Sequence, residues 1–246
     1  MTDSIQELVA KGDKDRYLSC LFAPDVARPH LFALYAFNLE ILRIRDVVSE
    51  PQIGLVRQQW WLDSIDGIYA GNKQEHPVAL ALAAAITFAK LPQEPLRNLV
   101  IAREFDLYDD AMPTLNDLEG YLGETSSSLM QMAALILGKS AADVAGLAGV
   151  AFGIAGALRS ERKSFLPADM VQSLGEAETI KQLCTHARKR LGEARNIEIA
   201  PDVLPAFLPA CLTELYLARL ERGGSLHVSQ FRRQFSLWRA ARHNRF

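Results

Sequence analysis

Four charged side chains crowd one apolar stretch. In YAFNLEILRIRDVVSE, residues 35–50, Glu40, Arg43, Arg45 and Asp46 fall within seven positions. Phe32, Leu34, Tyr35, Phe37, Leu39, Ile41, Leu42 and Ile44 surround them. At helical spacing, Glu40, Arg43 or Ile44, and Val47 share one stripe, Leu39, Arg43 and Asp46 share another, and Leu42, Arg45 and Ser49 a third. Glu40–Arg43 and Arg43–Asp46 are i,i+3 pairs that could neutralise each other on a solvated face, at roughly 0.3 kcal/mol per pair. A helix this apolar has little surface to spare, so a working charged site is the sharper reading. Guanidinium groups donate charge-assisted hydrogen bonds to anions and have no lone pair for a metal.

A second cluster, ALRSERKSFLP at 157–167, brings Arg159, Glu161, Arg162 and Lys163 to the end of an apolar run. Cations near a helix C-terminus are favoured by the macrodipole, which accounts for Arg162 and Lys163 better than for Arg159. A third, REFDLYDD at 103–110, sets Asp106 and Asp110 at i,i+4, the spacing of a metal pair. It reads more simply as a solvated helix end. The five histidines form no i,i+4 pair, and Ser126–Ser128 lack the Gly-x-Ser-x-Gly context of a hydrolase. Trp60 and Trp61 read as core anchors.

The tail FRRQFSLWRAARHNRF, 231–246, holds five arginines and no acid. Phe231, Phe235 and Trp238 follow i, i+4, i+7, flanked by Arg232, Arg233 and Arg239. The simplest expectation docks this helix on the core through its aromatics, with the arginines in water. The same pattern suits an anionic membrane surface or an acidic partner.

These residues need elements to position them. The chain of 246 residues is 49% apolar and 23% charged, an ordinary globular composition. It shows no strand pattern. Helices are expected at 3–22, 29–49, 52–70, 77–90, 93–108, 114–137, 141–161, 176–198, 203–222 and 229–242, giving one all-α domain over 1–246. Pro29 suits a first helical turn. Pro51 separates two helices. Thr114 with Asp117 is a capping pattern, and Gly223–Gly224 closes the penultimate helix. In AADVAGLAGVAFGIAGAL, 141–158, Gly146, Gly149, Gly153 and Gly156 permit close helix packing or the approach of a long apolar ligand; packing is the simpler reading, because a helical glycine costs stability and tends to have a packing reason.

A net charge of −2 gives no reason to expect nucleic acid. Cys20, Cys184 and Cys211 are too scattered for a disulfide or zinc framework, which favours a reducing compartment. The N-terminal residues have neither an apolar signal core nor the acid-poor pattern of a transit peptide, so a cytoplasmic location is expected, peripheral on the inner face of the inner membrane if the tail binds lipid. The apolar stretch 76–92 is too short to span a bilayer.

Six segments in order resemble the squalene/phytoene synthase superfamily: 17–37, 56–61, 76–82, 118–138, 149–170 and 204–220. The resemblance implies an isoprenoid synthase fold, a helical bundle around a central apolar cavity. Active members condense two prenyl diphosphates head to head, with Mg²⁺ held between two Asp-rich segments. Here Leu42 and Arg43 stand where the leading acids of the first segment are expected, leaving Asp46. Ser160 stands where the second expects its first Asp, beside a matching Arg159.

The segments YAFNLEILRIRDVVSEPQIGLVRQQWW, ETSSSL and LRSERKSFLP resemble most closely the branch of respiratory complex I assembly factors. The resemblance thus implies a protein without metal or cofactor that assists complex I assembly and binds an isoprenoid or lipid. Arg43, Arg45, Asp46, Arg159, Arg162 and Lys163 are the candidate head-group contacts. An active prenyl transferase is the alternative. It would need Mg²⁺ held by Glu40, Asp46, Asp106, Asp110 and Glu161.

Overall fold

A computed structural model describes residues 2–160, 162–222 and 228–246. Glu161 and Gly223–Gly224 lie outside them. No strand occurs among the described residues. The helices are α1 (Thr2–Gly12), α2 (Lys14–Cys20), α3 (Arg28–Val47), α4 (Pro51–Tyr69), α5 (Pro77–Ala89), α6 (Gln93–Ala102), α7 (Leu115–Leu122), α8 (Ser128–Ile136), α9 (Ala142–Arg159), α10 (Ala168–Leu174), α11 (Glu176–Arg195), α12 (Leu204–Phe207), α13 (Thr213–Glu221) and α14 (Gln230–Arg242).

Local chemistry explains where these helices depart from the expected ones. The single helix expected over 3–22 breaks at Asp13, whose carboxylate accepts from Arg16 N at 3.0 Å and so caps α2. Pro205 and Pro209 lack the N–H that a continuous helix would use, and the segment 203–222 divides into α12, a 3-10 turn over Leu208–Leu212, and α13. The helix expected over 93–108 tightens into a 3-10 turn at Arg103–Leu107. Between α7 and α8 the chain widens into one π turn, Gly123–Ser127. Where expectation and structure agree, the cause is equally local. Thr114 Oγ1 accepts from Asp117 N at 3.2 Å, Pro29 lies in the first turn of α3, and Gly71 takes a left-handed conformation after α4.

Two helices organise the bundle. Helix α9 packs against α8, α11, α13 and the π turn, and α3 packs against α1, α4, α5 and α8. Tyr35, Phe37, Phe207 and Tyr216 are among the largest fully buried side chains. The glycines of α9 divide into two kinds. A Cβ on Gly149 would fall 2.3 Å from Ser127 Cα, and one on Gly153 would fall 2.6 Å from a Leu122 methyl, so these two set the approach of α9 to the π turn. A Cβ on Gly146 or Gly156 would meet nothing within 4 Å. The segments Ala142–Arg159 and Pro201–Glu221 are long and apolar enough to cross a membrane, but 56% and 67% of them are buried inside the fold. That burial is the mark of core helices.

Candidate functional site: a cavity lined by guanidinium groups

Between α3 and α9 lies a cavity of about 680 Å³, within the range of small-molecule sites. Leu42, Leu122, Leu129, Phe152 and Phe165 give it apolar walls, and Gly153 and Gly156 let it run along the backbone of α9. Its polar lining is cationic in balance: Arg16, Arg45, Arg103 and Arg162 against Asp46, Asp106 and Asp109.

Asp106 is the node of this lining. It is 5% exposed, not solvated as the sequence suggested. The tight turn at Arg103–Leu107 directs it inward. Its Oδ2 accepts from Arg103 Nη1 at 3.0 Å. Its Oδ1 accepts from Tyr121 Oη at 2.9 Å and from Arg162 Nη1 at 3.3 Å. A second Arg162 nitrogen reaches the Asp106 backbone oxygen at 3.2 Å. Burial raises the Tyr121 pKa, which keeps its hydroxyl protonated as a donor. Two guanidiniums and one phenol therefore hold a single carboxylate. Asp110, its supposed partner at i+4, is exposed.

Further in, polar atoms wait without partners. Asn38 is 2% exposed, and its Oδ1 accepts no hydrogen bond. Ser126 Oγ is also buried and unpaired. Both line the cavity. Ser126 sits on the π turn, an irregularity that often marks functional positions in helices. Arg45 pairs with Asp109 at 3.2 Å, while its Nε is buried without a partner. Unpaired buried groups of this kind cost about 1–3 kcal/mol each, and a bound polar group would relieve that cost.

The six candidate head-group residues part company. Arg45, Asp46 and Arg162 meet at the cavity. Arg43 lines a separate groove of about 520 Å³ with Glu40, Arg57, Trp60, Trp61 and His76, on the opposite stripe of α3. The local pairs Glu40–Arg43 and Arg43–Asp46 are absent among the described ion pairs; Arg43 and Asp46 line different cavities, and Arg45 pairs with Asp109. Arg159 turns away, stacking 3.7 Å over the Tyr216 ring and lying 4.0 Å from Asp15. Lys163 is exposed and pairs with Glu176 at 2.8 Å. Trp61 is buried as expected, but Trp60 is 45% exposed on the groove.

Asp15 forms a second buried node. Its carboxylate accepts from Tyr216 Oη and, at 3.2 Å, from Arg233 Nη1. Arg233 thus points inward and is not a surface residue. The expected docking of the tail is reversed. Helix α14 seats on the core through Arg233, Leu237, Ala240 and Ala241, and leaves Phe231, Phe235 and Trp238 at least half exposed.

The residues present do not fit a diphosphate-bound Mg²⁺ site. Such an ion is held by carboxylate and water oxygens, whereas Asp106 is already engaged by cations. Among the described residues no three of His, Cys, Asp or Glu gather as a metal cluster.

The helical bundle has known counterparts. The squalene/phytoene synthase family model matches residues 9–239, and the chain belongs to that family. Two solved structures share its isoprenoid synthase fold. Squalene synthase HpnC from Alicyclobacillus acidocaldarius superposes with a TM-score of 0.79 at 18% identity, covering 90% of this chain and 93% of that one. A ligand-bound dehydrosqualene synthase reaches 0.84 at 17% identity, covering 99% and 96%.

Within the family, the chain is similar to complex I assembly factor 6. The Homo sapiens and Bos taurus proteins of that name are each 33% identical over 241 residues, covering 88% of this chain and 72% of theirs. A 15-cis-phytoene synthase from Synechocystis sp. is 25% identical over 136 residues, 54% of this chain and 39% of its own.

Proposed function

We propose that this chain is a non-catalytic assembly factor for respiratory complex I that keeps the family cavity as a receptor for an isoprenoid or other lipid. One observation carries the cavity reading: Arg45 and Arg162 line the cavity beside Asp46, and its buried carboxylate, Asp106, is already bound by Arg103, Tyr121 and Arg162. The similarity to assembly factor 6 along 88% of the chain supports the assembly role and a place beside a respiratory membrane.

In this reading the aliphatic part of the ligand lies against Leu42, Leu129, Phe152 and the open side of Gly156. Its anionic end meets Arg45, Arg162 and the unpaired Ser126 hydroxyl, which can all donate, with Asp46 at the rim. Cations that already stand in the site replace the metal as partners for an anionic head group.

Titration with farnesyl diphosphate, with and without Mg²⁺, tests the proposal by calorimetry and phosphate release. Metal-independent binding without turnover is expected. Mg²⁺-dependent binding with diphosphate release would overturn it in favour of a prenyl transferase, the reading that the similarity to phytoene synthase supports.

A further inference from the structure

The outer face of α14 is left over by the cavity and by the core. Helical geometry separates its residues into opposite stripes. Arg233, Leu237, Ala240 and Ala241 face inward, with Leu237 fully buried. Phe231, Phe235 and Trp238 lie on the other side and are 75%, 52% and 50% exposed. Their rings stand in file, Phe231 to Phe235 at 6.4 Å and Phe235 to Trp238 at 6.1 Å, each pair near parallel. Arg242 leans over Trp238 at 5.7 Å. Arg232 and Arg239 are exposed along one flank.

The helix is fixed in this orientation. Arg233 is held by Asp15, the Phe246 ring packs 5.4 Å from Phe207, and Arg195 Nε donates to the Phe246 backbone oxygen at 2.6 Å. The aromatic file cannot fold back onto the core without breaking these contacts.

Charge selects the occupant. Residues 231–246 hold five arginines and no acid, in a chain whose net charge is −2. The other residues therefore sum to −7, so this terminal segment carries a net positive charge on an otherwise acidic chain, four of its five arginines being on α14. A shallow row of aromatic rings flanked by guanidinium groups matches the boundary between headgroups and acyl chains, where aromatic side chains partition and anionic lipids attract Arg. We propose that α14 is an interfacial helix that seats this protein on an anionic phospholipid bilayer, with Phe231, Phe235 and Trp238 inserted and Arg232, Arg239 and Arg242 on lipid phosphates. This goes beyond the cavity reading and does not depend on it.

The test is co-sedimentation of the full chain with phosphatidylcholine vesicles, with and without phosphatidylglycerol. The protein should pellet with the anionic vesicles, and less so as salt rises. Replacing Phe231, Phe235 and Trp238 together with Ser, or making Arg232→Glu with Arg239→Glu, should weaken pelleting about tenfold or more. Both variants change exposed side chains and should keep the native melting temperature. Tryptophan emission should shift to the blue on vesicles in the native chain and not in Trp238→Phe. Absence of pelleting, equal pelleting with neutral vesicles, or pelleting unchanged in both variants would each overturn the proposal.

Discussion

Arg162 and Asp106 are 56 residues apart in the chain and 3.3 Å apart in the fold. Their contact joins the end of α9 to the turn after α6 and closes one side of the cavity. It also bears on the chemistry, because the Asp106 carboxylate already serves two guanidiniums.

Asp106→Asn should therefore destabilise the bundle in the absence of any added metal. It leaves Arg103 and Arg162 without their shared counter-charge, a loss of about 3 kcal/mol for a buried network. Urea unfolding monitored by circular dichroism would measure it. An unchanged midpoint would show that the network contributes nothing.

The candidate cations should separate in binding. Arg45→Ala and Arg162→Ala should each weaken a prenyl diphosphate about tenfold, the order of one charge-assisted contact. Arg43→Ala, on the other groove, should leave the affinity unchanged. Calorimetry on the three variants would decide. An equal loss in all three would mean that general charge, not placement, governs binding.

Two neighbouring glycines should respond oppositely to the same methyl group. Gly149→Ala forces a methyl against the Ser127 backbone at the π turn and should cost ~3 kcal/mol or more. Gly156→Ala meets open space and should be neutral, or stabilise α9 by up to about 1 kcal/mol, while narrowing the cavity. Thermal melts of both variants test the pair.

Glu119 tests the electrostatics of the outer face. Arg190 binds it with both nitrogens, at 2.7 and 2.9 Å, and His186 lies 2.7 Å away. The Arg190 hydrogen bonds lower its carboxyl pKa, against an opposing effect of burial. A carboxyl lowered in the folded state stabilises fully above its unfolded pKa, about 4.3, and loses that contribution as pH falls through the folded value. Glu119→Gln should thus cost ~1 kcal/mol at neutral pH, with the difference from the native chain vanishing below the ordinary carboxylate range. A constant difference across that range would sink the assignment.

Much of this was legible in the residues, and the misses share a cause. Of the three charged stripes read on α3, those of Glu40 with Arg43 and of Leu42 with Arg45 each line their own cavity, whereas the stripe of Arg43 with Asp46 is divided between the two. Which stripe faced the larger cavity depended on α9, more than 100 residues away, and periodicity carries no such information. Asp106 looked like a solvated helix end because its partners, Tyr121 and Arg162, are remote in sequence. Nothing in ETSSSL announced a π turn, although three consecutive hydroxyl residues before an apolar helix were a trace of it. The tail aromatics had the spacing of a core face. Only the buried carboxylate of Asp15, which draws Arg233 inward, turns the helix over.

That same carboxylate bears on how the chain is made. Tyr216 and Arg233 reach Asp15 from 201 and 218 residues downstream. A growing chain therefore carries Asp15 in water long after α2 has left the ribosome, and the packing around it waits for α13 and α14. Contacts at this separation are slow to close and leave apolar surface open meanwhile. Ribosome-bound intermediates of this protein are thus expected to need chaperone cover until α14 emerges.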